Sequence, residues 1–443
     1  MKKDSANSER GQALVLIVLG MVALLGFTAL AVDGSMLYSD RRSAQNAADA
    51  ASLAGAAEAA LSIENLHVSY SSWNCAGSNI GTAASTARLA AVNRASDNGF
   101  MIDQNITDQN GVNTQCGVDT TNYWADKYLD VHTMITADTA PAFSQFVFQG
   151  PLRNTVEAIA RVRPRMNLAY GYAVVALRED CPNSNTGGVH YDGNSTLIVS
   201  GGGVFSNACM VKDGGVSVVV EPPEEGIVCT GNGCYDNNGS SGGISPNPQI
   251  SPSPIPRENW EVPPPDCSGL PNRGDHSGGG TIQPGNYGTI RVNSSNDNLV
   301  LQPGLYCVSN GVTINGGSVT GYGVTMFLTG GDFSTSGGVQ VNLTSPSAQG
   351  CTYCPPALPG VLLYLAEGNS GEVSLLGTSD SEYLGLVYAP SGTIEAGGTG
   401  SELSEIHAQL VADTVKLHGN TTVNIHFDDD QNYQIPTKID LYR

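Results

Sequence analysis

The chain has 443 residues, enough for two or three domains beyond any anchor, and its 41 acidic against 20 basic side chains give a formal net charge of −21. The imbalance is uneven, with 12 basic and 15 acidic residues up to Arg165 and then 8 and 26 beyond it. Nucleic-acid binding and docking on anionic lipid both need clustered positive charge, so the distal part argues against both, and no nucleic-acid partner is expected.

Residues 13–32 carry no charge. As a helix, a run of that length rises about 30 Å, the hydrocarbon thickness of a bilayer. Lys2, Lys3 and Arg10 precede it, while Asp33 opens the other flank and Arg41 and Arg42 follow only after further turns. This charge distribution places residues 1–12 in the cytoplasm as a leader and the bulk of the chain outside it, periplasmic or extracellular. Two other readings use the same residues. Ala29-Leu30-Ala31 has the small-residue pattern of a signal-cleavage site, although the run is long for a signal and the helical pattern continues past it. The basic leader also suggests cutting after Gly11 in the manner of a type IV prepilin, but such prepilins usually carry Glu at the fifth position after the cut, and here Leu16 stands there.

From residue 35 to about 61 the residues are helix formers, with Ala44, Ala47, Ala48, Ala51 and Ala54 at three- and four-residue spacing. Such a small-residue stripe permits close approach of another helix or strand. A second helix is predicted over 82–95, after a loop holding Cys75. Residues 128–135 read as a strand, Ala140-Pro141 breaks the chain ahead of Phe143 and Phe146, and 154–162 fit a strand or a short helix. Residues 33–165 therefore form an α+β module on a long helix.

Glu9-Arg10-Gly11-Gln12, the apolar run, Asp33 and above all the segment Gln45-Asn46-Ala47-Ala48-Asp49-Ala50-Ala51-Ser52-Leu53-Ala54-Gly55 resemble the N-terminal region of TadE/TadG-like proteins of the tight-adherence (Flp) pilus system. The resemblance is close over the first fifth of the chain and looser to about Arg165, and it implies a bacterial envelope protein. Some members of that family carry a von Willebrand A domain with an Asp-x-Ser-x-Ser metal site. Asp33-Gly34-Ser35-Met36-Leu37 fails that pattern at its last position, so that domain is not expected here.

Past Arg165, short β-favouring segments alternate with Gly, Asn, Ser and Pro, among them 195–200, 216–220, 289–292, 299–301, 312–314, 324–328, 339–343, 361–365, 384–388, 408–411, 415–417 and 423–427. That texture fits a solenoid or an antiparallel sandwich. The repeated starts Gly215-Val216-Ser217, Gly311-Val312-Thr313 and Gly323-Val324-Thr325 favour coils. Pro303-Gly304-Leu305-Tyr306, Gly321-Tyr322-Gly323-Val324-Thr325, Gly385-Leu386-Val387-Tyr388-Ala389-Pro390 and Leu417-His418-Gly419-Asn420 resemble the β-helical region attached to Tad-like and other pilus-associated proteins. The resemblance implies a right-handed parallel β-helix over 166–443. Residues 221–266, with Ser251-Pro252-Ser253-Pro254-Ile255-Pro256 and Pro263-Pro264-Pro265, read as a poorly ordered insertion that interrupts it.

All ten cysteines follow the apolar run, which favours disulfides outside the cytoplasm. Proximity and domain grouping suggest Cys75 with Cys116, Cys181 with Cys209, Cys229 with Cys234, Cys267 with Cys307 and Cys351 with Cys354, while many other connectivities stay open. Zinc competes for Cys351-Thr-Tyr-Cys354, yet no second CxxC or nearby histidine completes a set.

Catalysis on a β-helix needs paired acids, or calcium-binding aspartates with a basic residue, and basic residues are scarce here: after Arg291 only Lys416, Lys438 and Arg443 remain. His426, Asp428, Asp429 and Asp430, with His407 and His418 upstream, are the metal candidates. Calcium suits their oxygens, but no Asp-x-Asp-x-Asp-Gly loop is present, and a solvated acidic turn is the plainer reading. Arg273-Gly274-Asp275 spells an integrin-binding tripeptide in a Gly-rich loop, a match common by chance. Sequons at Asn105, Asn194, Asn342 and Asn420 fit an exported surface. The sequence thus reads as α+β followed by mainly β: a non-enzymatic, single-pass envelope protein acting in pilus assembly or adhesion, with its alanine stripe expected to pack against pilin-like partners and surface carbohydrate the ligand that its architecture suggests. The competing reading is a membrane-tethered polysaccharide lyase or hydrolase.

Overall fold

The computed structural model describes all residues except 1–8, 122–123, 145–149, 182–187, 195, 223–225, 231–233, 238–242, 337, 348–355, 377, 379–380, 399–403, 420–421 and 443. Cys351, Cys354, Phe146 and Asn420 therefore lie outside the described residues. Two units emerge, one formed by residues 1–165 with 436–443 and the other by 166–435.

In the first unit, helix α1 (Glu9–Asn65) continues without a break from the apolar run into the alanine-rich segment. Helix α2 (Ser78–Asp97) lies beside it, and strands β1 (Gly111–Asp119), β2 (Asp126–Thr139) and β3 (Leu152–Arg163) form an antiparallel sheet. Residues 154–162 are strand, because Val156, Ala158, Ala160 and Val162 alternate inward against α1. The sheet's fourth strand is Lys438–Leu441, which pairs with β3 through Ala160↔Leu441 and Val162↔Ile439. The sequence boundary at 443 for the β-helix thus moves back to 435. The last segment rejoins the first unit, where Arg163 holds Asp440 at 2.7 Å.

Small residues set the packing of this unit. Ala44, Ala47, Ala48, Ala51, Ala56 and Ala59 on α1 meet Ala83, Ala87 and Ala91 on α2 and Val131, Ala158 and Ala160 on the sheet in one buried cluster. At Gly55 an added Cβ would stand 2.8 Å from the Ala87 carbonyl oxygen and 2.9 Å from Val131 Cγ1, so only glycine allows this approach. Buried Ser52 Oγ donates to the Ala158 carbonyl and lies 2.9 Å from Thr133 Oγ1. The alanine stripe therefore faces its own sheet and α2 rather than a partner protein. Ala54, expected on the stripe, is half-buried at its margin, because 3.6-residue periodicity carries the buried face from Ala48 and Ala51 to Gly55 and Ala56.

The second unit is a parallel β-helix with three columns of strands. Its chain order is unexpected. The first coils, beginning at Val174–Ala176, stack outward through Val204–Ser206 and Ile227–Thr230 to Gln249–Ser251. The chain then restarts at Asn272–Ser277 on the opposite end and winds through Gly285–Val292, Gly304–Val308, Val324–Leu328, Val361–Leu365 and Leu386–Gly398 to Leu410–Gly419. That last strand pairs with Val174–Ala176 and Val189–Gly193, and Val423–His426 pairs with Thr196–Ser200, closing a seam between two arms in mid-solenoid. Val174, Leu410, Val387, Leu363, Met326 and Tyr306 form one inward ladder across that seam, all nearly without exposure.

The segment 221–266 is not a loose insertion. It supplies the strands Ile227–Thr230, Tyr235–Asn237, Ile244–Ser245 and Gln249–Ser251 to the first arm. Its proline-rich remainder runs back as a strap over an outward aromatic ladder, Phe327, Tyr364 and Tyr388, which is almost fully buried. The Tyr364 hydroxyl donates to the Val262 carbonyl at 2.7 Å, Arg257 pairs with Glu367 at 2.7 Å, and the Ile255 N–H donates to Asn207. Extended proline-rich chain has no internal hydrogen bonds to lose, so it can lie on aromatic faces where a folded insertion could not.

Candidate functional site

The end of the first unit nearest the apolar run is built on α1. Residues 14–19 and most of the apolar run to residue 32 are exposed, and the helix is long and apolar enough to cross a membrane. Asp33, the first charge after the run, is only 3% exposed. Its carboxylate accepts N–H groups from Ala142 at 2.8 Å, Phe143 at 3.2 Å and Ser144 at 2.6 Å. Two turns further on, Asp40 accepts the Thr139 hydroxyl at 2.7 Å. The end of β2 and the residues 142–144 that follow it are thus both pinned to α1. Two clefts open beside this end, one of about 530 Å³ lined by Arg41, Gln45, Gln109, Thr155 and Glu157, the other of about 270 Å³ lined by Asp40, Ser43, Phe100 and Thr136. Nothing in the sequence marked Asp33 as a turn clamp, although a charge directly after an apolar helix is a signal that it needs a partner.

Among the described residues the structure brings together four cysteine pairs: Cys75 with Cys116 in the first unit, and Cys181 with Cys209, Cys229 with Cys234 and Cys267 with Cys307 in the solenoid. Cys267 precedes the terminal strand Asn272–Ser277, so its bond to Cys307 staples the outermost coil to an inner one. Arg273-Gly274-Asp275 lies in that terminal strand, not in a flexible loop, and Asp275 Oδ1 accepts the Thr289 N–H at 2.8 Å.

The metal candidates do not converge. Asp428 Oδ1 accepts the N–H of Asp430, and the carbonyls of Asp428 and Asp429 accept the amides of Asn432 and Gln434, so these residues shape a turn. His426 Nδ1 lies 2.9 Å from Ser200 Oγ with its ring beside His407, while His418 belongs to another column. Among the described residues no group of three or more His, Cys, Asp or Glu is placed to hold a metal ion.

His418 joins instead a charged ladder that sequence reasoning missed, because its members come from five successive coils. Glu395, Lys416 and His190 are register partners on adjacent strands, and His418 faces Asp192. His418 Nε2 lies 2.9 Å from Glu395 Oε1, Lys416 Nζ 3.8 Å from Glu372 Oε2, and His190 Nε2 2.7 Å from Asp213 Oδ2. Burial first, and then the neighbouring Glu395 carboxyl, raise the Glu372 carboxyl above its ordinary range. The close approach of the His418 imidazole holds Glu395 down at about 2, and the same contact raises His418.

Comparison with known families divides the chain along similar lines. Residues 11–58 match the family model described as putative Flp pilus-assembly TadE/G-like. The chain carries a TadE/G-like N-terminal segment. That segment covers the exposed apolar run, Asp33 and the buried alanines down to Ala56. Residues 273–432 match a domain of unknown function (DUF7305), which spans the second arm of the solenoid and stops short of the first. No curated protein and no solved structure matches the chain.

Proposed function

We propose that this chain is a non-enzymatic, single-pass envelope protein of a tight-adherence pilus system, with its N-terminus inside and its β-helix outside the cytoplasm, acting in pilus assembly or surface adhesion. The observation that supports the reading is the coincidence of the TadE/G-like segment with a helix that is bare and apolar at one end and clamped into an α+β unit at the other. The solenoid's backbone groups are satisfied between coils, leaving its sides free as a broad surface for pilus proteins or surface carbohydrate. Shearing filaments from cells and immunoblotting them beside washed membranes tests the assignment. Full-length protein in the membranes alone fits an anchored assembly or adhesion factor. Filament-borne protein shortened at the N-terminus makes it a processed subunit, and soluble protein in neither fraction overturns the anchored reading.

One observation favours the alternative, a polysaccharide-degrading enzyme: the neighbouring Glu372 and Glu395 carboxyls beside Lys416 and His418. Each of these groups is already engaged with a neighbouring coil, and we read them as stitching rather than as catalysts. Polysaccharide cleavage by the purified chain that is abolished in Glu395→Gln would reverse that choice.

A further inference from the structure

We propose that residues 142–144, beyond the end of β2, make a second membrane contact, with Phe143 seated in the bilayer interface beside the point where α1 leaves it. The inference rests on reading residues 13–32 as the spanning segment. Asp33 directly follows that segment, and its carboxylate is within hydrogen-bond distance of three consecutive backbone N–H groups at 142–144. Residues 142–144 are therefore fixed at the level where the apolar run ends, which for a spanning helix is the boundary between hydrocarbon and headgroups. A carboxylate at that depth is costly unless satisfied, and Asp33 is almost wholly removed from solvent. Asp33 and Asp40 are seven residues apart and so share one face of α1, the face that continues into Ala44, Ala47 and Ala51. The clamp thus continues the buried stripe and holds residues 142–144 against the helix.

What the clamp presents is apolar. Phe143 is 46% exposed, although both its neighbours' N–H groups are tied to Asp33. On α1 itself Met36 and Tyr38 are exposed within the next turns. These side chains continue the bare surface of the apolar run past its end, and aromatic residues at such a level are the usual interfacial anchors of membrane proteins. Covering Phe143 with lipid needs no partner protein and continues the contact that the helix already makes. The consequence is mechanical: a single helix can tilt and rotate in a bilayer, whereas a helix with a second contact at its exit has a fixed azimuth.

The test is the full-length chain carrying Phe143→Trp, reconstituted in phosphatidylcholine–phosphatidylglycerol vesicles whose lipids are brominated either near the headgroup or near the chain ends. Emission is compared with the unsubstituted chain, which contributes the signal of its own 3 tryptophans. The added emission is expected to be blue-shifted and lost more to the shallow bromines than to the deep ones. In a Phe143→Trp, Asp33→Asn chain, in which the clamp is weakened, the quenching is expected to fall while alkaline carbonate still fails to extract the protein. Unquenched emission from a carbonate-resistant chain overturns the second contact and leaves the anchor standing. A blue shift that depends on protein density, without bromine quenching, assigns the surface to a second copy and also overturns it. Extraction by carbonate overturns the anchor, and the inference with it.

Discussion

Where α1 crosses its sheet, the buried side chains are alanines with one indispensable glycine; along the inside of the solenoid they are Val, Leu, Met, Phe and Tyr stacked rung over rung. The first unit is held by how closely backbones approach, the second by how much side chain fills the space between three sheets. The same substitution type should therefore have opposite effects in the two, since a core suffers from atoms removed where it is bulky and from atoms added where it is tight.

The largest expected effect is in the solenoid. Leu363→Ala opens a hole in the inward ladder between Met326 and Val387 and should cost about 4 kcal/mol. Hydrogen exchange resolved along the chain should locate the loss in 166–435, with α1, α2 and β1–β3 unmoved. Removing the Cys267–Cys307 bond, which closes a sequence separation of 40, as the double substitution Cys267→Ser, Cys307→Ser should cost about 3 kcal/mol, read as a lowered thermal midpoint for the same region. In the first unit Ala48→Leu should cost about 2 kcal/mol through overpacking, with the exchange pattern reversed. If Ala48→Leu were neutral, the idea that smallness holds this unit would be wrong.

The smallest effect is a pH dependence confined to the charged ladder. Glu372 is raised above its ordinary 4.5 and His418 above 6.5, so the stability each contributes is full below those values and is lost as pH rises through the shifted ones. Glu395, lowered to about 2, contributes stability above 4.5 that is lost as pH falls towards that value. Protection of the strands Glu372–Leu375, Leu386–Gly398 and Leu410–Gly419 should accordingly decline on the alkaline side. Glu372→Gln removes the titrating carboxyl and should flatten the part of that decline due to Glu372. An unchanged profile in this variant would show that the raised Glu372 carboxyl does not contribute to the decline.

The two units also differ in how much of them the sequence discloses. Ala44, Ala47, Ala48 and Ala51 announce a close-packing helix face because their spacing is local, but what they pack against depends on strands 80 or more residues away, as the Ser52–Thr133 contact shows. Strand β1 escapes sequence reading because it is half exposed and rich in Gly, Asn and Gln, and the closing strand Lys438–Leu441 because it is short and largely exposed. In the solenoid the strand segments are legible one by one, and so are the glycine corners. The order of the coils is not, since Val174 pairs with Leu410 for no reason visible in either segment alone. The charged ladder is hidden for the same cause: Glu372, Glu395 and His418 become neighbours only when coils stack. Conversely, a proline-rich composition reads as loose chain, and only the aromatic ladder beneath it explains why it lies down.

The seam at mid-solenoid sets a schedule for the newborn chain. Arg178 finds Asp413 across 235 residues of sequence. Residues 174–251 leave the ribosome with an open strand edge that nothing nearby can cover, and the same is true of β3 until 438–441 arrive. Both edges wait for partners more than two hundred residues further along the chain, at 410–419 and 438–441. A chain that stops before residue 410 thus carries two uncovered strand margins, open to degradation or clumping, while one that runs past 441 seals both.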